Sequence, residues 1–537
     1  MIVTSTLLVV VSAGIILALF TNRSSPTVTF LKQVNPGWIF SGQLTFVFLS
    51  QFTRIRDQEY NVDESTWIAD ALAVNVDTDF FAALLTHTTA RPITVLPLLV
   101  LDWLGLPISF YTIKVISLVC IVLALAFTFL ALRNLLTNQL ALLCLLPLTA
   151  FYTVITFDDF IAYNSELVCN VFIAAALWLF SLVQRRQETY WQGVVIGLSL
   201  GLIPFAKFQA IPGALIIVFF CLYEWYRQNR LAPAFLFMVA GLMPIMVAVV
   251  YCLYTDQLTV LIRNYFLYYV NYSYQYSAKP FLERLSPRDI LWYYRKQYTF
   301  AAYWFGLVAV MAVLVWRSRQ RGRLAGSSLF WLSIILWLVS IYETIQAGTN
   351  YEHYLNLVLI PHIFLAAALL KPEQTTQLSP GFLRLPAYAY AGTSLLIICF
   401  VHTKAFGRGY NPPLPYDSEV VAVIKRECSS TDRISIWGWA DRYYVWSGIA
   451  PGSRYANSVF QMKANTQQAY YLDQYVADLT KNKPRLFIDS VAPEQFTYDD
   501  SQRYGHTRFS LVDNIISTRY RQIYQRGGLR IYRLITE

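Results

Sequence analysis

Two adjacent carboxylates stand in the stretch YNVDESTWIADA, which covers residues 60–71. Asp63 and Glu64 follow the apolar run LTFVFLSQF and precede a segment whose apolar residues have helical spacing. A carboxylate held partly out of water needs a partner, a metal or a water-filled cavity, and burial raises its pKa towards the range in which it works as a general base. The pair is therefore a candidate for acid–base chemistry. A structural alternative is that Asp63 is the N-cap of a helix that begins near Ser65.

Further charged residues lie next to the apolar runs of the chain. Arg91 precedes a proline and begins a second amphipathic segment, where a guanidinium suits a phosphate, a carboxylate or a membrane interface. The turn ITFDDFIAYNSE carries acids, the loop 255–298 interleaves aromatic residues with Arg and Lys, and NYEHY carries a histidine. Each feature also has a structural explanation. The acids can be solvated loop charges, the basic and aromatic residues can be interfacial anchors, and the histidine can be a hydrogen-bonded structural group. The candidate substrate-binding residues are Arg91, Asp158, Asp159, Glu166, Lys207, Arg284, Arg288 and His353.

The composition indicates which elements position these residues. Of the 537 residues, 56% are apolar and only 14% are charged, and the mean hydropathy is +0.43. Such a chain is typical of a polytopic membrane protein. The net charge of +10 is concentrated in short loops such as RSRQRGR, which is the pattern of cytoplasmic loops and argues against a nucleic-acid partner.

Apolar runs of near-spanning length predict eleven membrane spans and a weaker twelfth at 37–52. Basic residues at Arg133, at 185–186, at 227–230, at 317–323 and at 371–384 follow every second span. If these turns are cytoplasmic, the candidate residues lie at the outer ends of the spans. The eleven runs are about 2–20, 110–132, 137–155, 163–183, 191–204, 211–226, 233–254, 300–316, 328–346, 354–370 and 387–402.

The predicted fold is a polytopic α-helical membrane bundle of 11–12 spans with a small C-terminal extracytoplasmic α/β domain. The bundle covers residues 1–402, and its first outer loop, 53–109, carries the acidic motif. A Gly/Pro-rich linker covers 403–416, and the α/β domain covers 417–537. In that domain RISIW, RLFID and LRIYRL read as strands, and SEVVAVIKREC and QQAYYLDQYVADLTK read as helices.

On these motifs the chain resembles the GT-C superfamily of polytopic glycosyltransferases, which includes protein O-mannosyltransferase-like and lipid A aminoarabinose transferase-like enzymes. The likeness rests on YNVDESTWIADA, TTARPITVLPLLVLDWLG, FDDFIAYNSE, GTNYEHYLNLVLIP and the trailing α/β domain. It implies an inverting hexosyl- or pentosyl-transferase of the bacterial cytoplasmic membrane. Its donor would be a polyprenyl-phosphate sugar, and its acceptor a glycolipid, polysaccharide or protein on the outer face.

The resemblance also implies roles for the candidate residues. Asp63 would be the general base and Glu64 would orient it or the acceptor. Asp158 would line the cavity, and the cations for the lipid phosphate would come from Arg91, Arg284, Arg288 and His353.

The motifs depart from the family at two points. Arg-Pro stands where many relatives have Lys-Pro-Pro, and the acidic pair itself is not a DxD motif. No cofactor is therefore implied by the motifs, and a divalent cation stays open as a source of positive charge. The alternative functions are a polysaccharide polymerase or ligase and a transporter of lipid-linked saccharides.

Overall fold

The computed structural model describes residues 2–20, 33–87, 91–187, 189–269, 271–272, 280–319, 327–370, 380–404, 416–493 and 498–535. These residues divide into two compact units. The helical unit contains Met1–Ile55, Val115–Val247 and Tyr276–Asn411. The mixed unit contains Arg56–Lys114, Ala248–Gln275 and Pro412–Glu537, so the first loop groups with the C-terminal residues. Most of the predicted linker, and the basic residues at 320–323 and 371, lie outside the described ranges.

Every predicted span is a helix. Seven helices within the described residues are long and apolar enough to cross a membrane, and the other predicted spans are helices that fall short of that length or apolarity. In chain order the helices that coincide with the predicted spans are α1 (Ile2–Leu19), α2 (Pro36–Phe52), α6 (Phe110–Leu135), α7 (Asn138–Val154), α8 (Ser165–Gln184), α9 (Tyr190–Ala206), α10 (Ile211–Arg227), α11 (Leu231–Tyr254), α15 (Tyr298–Arg319), α16 (Ser328–Ile345), α17 (Asn356–Leu370) and α18 (Pro380–Lys404).

Shorter helices connect them. In the first loop these are α3 (Val62–Asn75), α4 (Phe80–Thr86) and α5 (Pro92–Trp103), and further along the chain α12 (Leu258–Leu261), a π-helix (Ile262–Leu267), α13 (Phe281–Arg284) and α14 (Pro287–Lys296). Single 3₁₀ turns cover Asp158–Phe160, Phe208–Ala210 and Glu352–Leu355.

Hydrogen bonds in the helical unit join the turns that carry the basic residues. The end of α6 contacts the end of α8. The end of α8 also contacts the turn after α10 and the start of α16. Alternating helix directions bring these turns to one end of the unit, as the spacing of the basic residues predicts. The bonds run from Asn134 to Ser181 (2.9 Å), from Gln184 to Ser328 (3.2 Å) and from Gln228 to the carbonyl of Val183 (3.0 Å).

A stripe of small residues allows α9 and α11 to pack closely. A Cβ atom added at Gly197 would overlap the backbone of Phe237, and one at Gly201 would overlap the carbonyl oxygen of Gly241. Small residues four apart on a helix let two backbones approach within a membrane, where lipid supplies no hydrophobic drive to association.

The C-terminal part of the mixed unit is a five-stranded sheet flanked by helices. The strands are β1 (Arg433–Trp437), β2 (Ala450–Pro451), β3 (Leu486–Asp489), β4 (Tyr520–Arg526) and β5 (Leu529–Leu534), in the order β2-β1-β3-β5-β4. β1 pairs in parallel with β2 and β3, and β5 pairs antiparallel with β3 and β4. The helices are α19 (Ser418–Glu427), α20 (Arg442–Ser447), α21 (Val459–Met462), α22 (Gln468–Asn482), α23 (Ser501–Tyr504) and α24 (Ser510–Arg519), with a 3₁₀ turn at His506–Arg508.

The three predicted strands and two predicted helices of this part are β1, β3, β5, α19 and α22. The sequence pattern missed β2, which is only two residues long, and β4, whose residues are mostly exposed. β4 and β5 form a hairpin around Gly527, which has a φ of 56°. The left-handed conformation of that residue explains why the turn carries glycine.

The apolar spacing of α3 indicated a helix with one apolar face, but the helix is buried on several sides. All of its residues from Glu64 to Ala71 are buried. Ala69 lies in the same hydrophobic cluster as Ile434 and Ile436 of β1, and Leu72 packs against that cluster. The reason for the difference is that α3 belongs to the core of the mixed unit, which covers it on more than one side.

Candidate active site

The start of α3 sets the positions of the two carboxylates. The helix begins at Val62 because Asn61 is its N-cap and accepts a hydrogen bond from the backbone N–H of Asp63 at 2.8 Å. The prediction that Asp63 is the N-cap of a helix from Ser65 is therefore wrong. The short amide of Asn61 reaches the N–H group two residues on, as a good capping residue does. Asp63 instead lies in the first turn, where the helix dipole stabilises its negative charge.

Glu64 has a different environment from its neighbour. It is fully buried, lies 3.0 Å from the ammonium of Lys114 and accepts a hydrogen bond from the backbone N–H of Tyr60 at 2.8 Å. Lys114 is buried too, and its ammonium lies 4.1 Å from the centre of the Tyr60 ring. Two buried charges that neutralise each other hold the first loop to the beginning of α6.

Asp63 is partly exposed and lies among residues from three parts of the mixed unit. Its negative charge helps to raise the pKa of Tyr268 and Tyr269, which follow the π-helix, and the pKa of Asp441, which precedes α20. Burial is the main cause that raises the pKa of Tyr269, and the charges of Arg91, Asp70 and Asp63 all contribute to its value. These groups are therefore neighbours in the folded unit.

Arg91 is held between two aromatic rings. Its guanidinium lies 5.1 Å from the ring centre of Trp67 in α3 and 5.0 Å from that of Tyr269. It also forms a hydrogen bond with the side chain of Tyr269. Pro92 is the first residue of α5, so the second amphipathic segment predicted after Arg91 is a helix. Stacked aromatic rings stabilise a guanidinium and fix the plane in which it presents its donors.

Sequence reasoning missed Trp67 and Tyr269 as partners of Arg91. Trp67 was assigned only to an apolar helix face, and Tyr269 is one of many tyrosines in NYFLYYVNYSYQY. The density of tyrosine in that segment was the available signal. It did not show which ring reaches Arg91, since that depends on the π-helix that precedes Tyr269.

Glu59 and Asp441 are buried carboxylates of the mixed unit that were not predicted as site residues. Burial raises the pKa of Glu59 to about 7, although Arg442, 3.8 Å away, and the hydroxyl of Ser65 both lower it. Burial likewise raises the pKa of Asp441 to about 6. Asp441 accepts a hydrogen bond from the hydroxyl of Thr66 in α3 at 2.6 Å.

In the helical unit, four of the predicted residues form one polar cluster. His353 is held by Asp159 twice: its Nδ1 lies 3.0 Å from Oδ2 of Asp159, and its backbone N–H donates to the same oxygen at 2.8 Å. Nε2 of His353 lies 3.9 Å from Glu166, which is fully buried and pairs with Lys207. Lys207 also lies over the ring of Tyr354, at 4.4 Å. The sequence predicted these residues as separate candidates, and the structure brings them together.

The other predicted residues of the helical unit lie in different environments. Arg284 is buried and donates to the backbone carbonyl of Gln346 at 2.7 Å, next to the end of α16. Arg288 is exposed in the first turn of α14. Asp158 is partly exposed in the 3₁₀ turn that also contains Asp159.

The predicted site residues thus fall into two groups. Asp63, Glu64 and Arg91 belong to the mixed unit, and the other seven belong to the helical unit. Across the described ranges of the chain, no three His, Cys, Asp or Glu side chains are grouped so that they would hold a metal ion.

Comparisons with known proteins relate the chain to solved structures only. No protein-family model and no curated protein matches it. The crystal structure of ArnT from Cupriavidus metallidurans bound to undecaprenyl phosphate matches 93% of this chain and 98% of its own, with a TM-score of 0.53 and 10% identity. ArnT is a membrane glycosyltransferase of the GT-C superfamily.

The chain has the same fold as ArnT. The apo structure of the same ArnT matches 92% of this chain and 97% of its own, with a TM-score of 0.45 and 10% identity. The archaeal oligosaccharyltransferase AglB from Archaeoglobus fulgidus, in complex with an inhibitory peptide and a dolichol-phosphate, matches 93% of this chain and 74% of its own, with a TM-score of 0.44 and 9% identity. The likeness to ArnT bound to undecaprenyl phosphate, the apolar helices and the small C-terminal sheet confirm the predicted fold class, a multi-pass helical bundle with a C-terminal α/β domain.

Proposed function

We propose that this protein is a membrane glycosyltransferase that moves a sugar from a polyprenyl-phosphate donor to an acceptor hydroxyl, with Asp63 as the general base. The observation that carries the proposal is the contrast between the two adjacent carboxylates. Glu64 is fully buried and neutralised by Lys114, whereas Asp63 is partly exposed and leaves the capping of the helix to Asn61. The GT-C fold, and the undecaprenyl phosphate bound to ArnT, support the choice of donor.

The proposed reaction divides into a proton transfer and a displacement. Asp63 accepts the proton of the acceptor hydroxyl while the oxygen forms a bond to the anomeric carbon of the sugar. The bond between that carbon and the phosphate oxygen breaks, and the electron pair leaves with the polyprenyl phosphate. Attack from the side opposite the leaving group inverts the anomeric centre. Glu64 does not contact the substrate in this scheme; with Lys114 it fixes the first turn of α3.

The leaving phosphate gains negative charge as the bond breaks, so a fixed cation beside it lowers the barrier. Arg91 suits this role because Trp67 and Tyr269 hold its guanidinium in one plane. Among the cations of the helical unit, Arg284 already donates to Gln346. Arg288 is exposed in the helical unit, and its role at the lipid phosphate stays a prediction.

The proposed location follows from the same reaction. Polyprenyl-phosphate sugars serve acceptors on the outer face of the bacterial cytoplasmic membrane, so we place the mixed unit, with its C-terminal sheet, outside the cytoplasm. Alkaline phosphatase fused after residue 537 is expected to be active in intact cells. An inactive fusion, together with an active cytoplasmic reporter at the same position, would reverse this orientation.

The function is tested with the purified full chain and a panel of undecaprenyl-phosphate monosaccharides. Chromatography measures the release of undecaprenyl phosphate. This release reports sugar transfer to any acceptor, including water. We expect release with at least one donor and a fall of at least about 100-fold in kcat for Asp63→Asn, in keeping with the loss of a general base.

Asp57→Asn is the matched control, because Asp57 is an exposed carboxylate of the same loop. It is expected to retain the wild-type rate. Full activity of a folded Asp63→Asn variant would exclude Asp63 as the base. Movement of a lipid-linked saccharide across a vesicle membrane, without release of the lipid phosphate, would instead support the transporter alternative.

A further inference from the structure

The C-terminal sheet contributes directly to the position of α3. Ala69, in the middle of the helix, packs in the cluster that contains Ile434 of β1. At the end of the helix, the guanidinium of Arg433 donates to the carbonyl oxygen of Val76 at 2.7 Å. The helix that carries Asp63 is therefore fixed by residues that lie more than 350 positions later in the chain.

The contact nearest to Asp63 is polar and buried. Thr66 lies three residues after Asp63, so the two side chains are neighbours on one side of the helix. The hydroxyl of Thr66 is 2.6 Å from Oδ2 of Asp441, and the amide of Asn457 donates to the same oxygen at 3.1 Å. Thr66 is 4% exposed and Asp441 is 1% exposed, so water does not compete for these bonds.

We propose that Asp441 is a positioning residue for Asp63, acting through the hydroxyl of Thr66. The inference rests on the proposed function, because it concerns the base of that reaction. Asp441 touches neither donor nor acceptor in this scheme. It fixes the first turns of α3, and with them the direction in which Asp63 presents its carboxylate to the acceptor hydroxyl.

The geometry explains why one hydrogen bond matters. A base has to lie within hydrogen-bond distance of the proton it accepts, and a displacement of about 1 Å can lower the rate by roughly 100-fold. Through the bond between Thr66 and Asp441, the turn that follows β1 restrains the helix one turn from the base. Trp439 adds a weaker bond, with its indole N–H 3.4 Å from the same hydroxyl.

The test compares variants at both ends of the bond in the purified full chain. Thr66→Val keeps the shape of the side chain and removes the hydroxyl, and it is expected to lower kcat for sugar release by about 10- to 100-fold. The KM for the undecaprenyl-phosphate sugar is expected to stay within about twofold, because the donor site is untouched. Thr66→Ser keeps the hydroxyl and is expected to restore at least half of the wild-type kcat.

Thr128→Val is the matched control, since Thr128 is a buried threonine of α6 whose hydroxyl bonds to the backbone of its own helix. It is expected to leave kcat unchanged. Asp441→Leu removes the acceptor of the Thr66 hydroxyl and is expected to lower kcat by itself. Adding it to Thr66→Val is expected to cause less than a twofold further loss, because the bond is already broken. Multiplicative losses in the double variant would overturn the inference, and so would a wild-type kcat in Thr66→Val.

Failure of this inference can be told apart from failure of the proposed function. If the wild type releases no lipid phosphate from any donor, or Asp63→Asn is fully active, the proposed function fails. Amide hydrogen exchange of residues 62–75 then still tests the contact, with faster exchange expected in Thr66→Val than in Thr66→Ser. Equal exchange in these two variants would overturn the positioning role whatever the reaction is.

Discussion

Replacing Lys114 with methionine is expected to destabilise the mixed unit strongly. Lys114 is 2% exposed, its partner Glu64 is fully buried, and their charged atoms are 3.0 Å apart. Methionine keeps most of the length of the side chain but removes the charge. The variant therefore leaves a buried carboxylate without its cation, whereas the wild type has a neutralised pair.

The structure allows the size of this effect to be worked out. Removing one partner of a buried ion pair costs about 3–5 kcal/mol. In a unit of roughly 200 residues, 1 kcal/mol shifts the melting temperature by about 2–4 °C. The variant is therefore expected to melt roughly 6–20 °C below the wild type. The shift is measured by thermal unfolding in detergent, with tryptophan fluorescence as the probe.

The double variant Lys114→Met with Glu64→Gln separates the ion pair from simple loss of packing. Replacing both charges removes the uncompensated carboxylate, so most of the lost stability is expected to return. Arg526→Gln is the control in the same unit. Arg526 pairs with Glu419 at 3.0 Å but is 44% exposed, so a much smaller shift in melting is expected. If the two single losses simply add in the double variant, or Lys114→Met shifts melting no more than the control, the buried-pair account is refuted.

Three further perturbations test other parts of the structure. The pKa of Glu59 is about 7 in the folded chain and 4.5 for an unperturbed glutamate, so the stability that its proton contributes is present below pH 4.5, and about 3 kcal/mol is lost as the pH rises through 7. The melting temperature of Glu59→Gln should therefore change less than that of the wild type between about pH 5 and pH 8. An unchanged pH dependence in this variant would contradict the argument. Lys207→Met removes the ammonium paired with buried Glu166, and a loss of about 3–5 kcal/mol in thermal melts is expected, which Glu166→Gln in the same chain should largely reverse. Gly201→Leu places a side chain against the backbone of α11, so lowered melting and reduced yield from membranes are expected, while a wild-type melt would show that the two helices are not tightly packed.

Much of the fold is predictable because the relevant signals are local. A span needs roughly 20 apolar residues, and apolar runs predicted each helix of the bundle to within about three positions, except that α18 begins at Pro380 and not near 387. β1, β3 and β5 alternate or are apolar enough to be read as strands. β4 has no such pattern, since it lies at the edge of the sheet and most of its side chains are exposed.

The contacts that define the candidate site are less predictable because they are not local. Thr66 and Asp441 are 375 positions apart, and neither residue type predicts the other. The same holds for Arg91 and Tyr269, whose contact needs the π-helix before Tyr269. The N-cap of α3 is different. Asn61 stands in the quoted motif, and its strong preference for the cap position was a local signal that the assignment to Asp63 overlooked.

Adjacent carboxylates in a helix have different environments for a geometric reason. Successive residues point about 100° apart around the helix axis, so Asp63 and Glu64 cannot face the same surroundings. Glu64 faces Lys114 in the interior, while Asp63 remains partly exposed near Arg91 and Tyr269. Neutralising Glu64 is therefore expected to lower the melting temperature with a proportionate loss of activity, whereas neutralising Asp63 is expected to remove activity from a chain that still melts normally. A pair of carboxylates that shared one proton would instead give both variants the same loss of activity at unchanged stability.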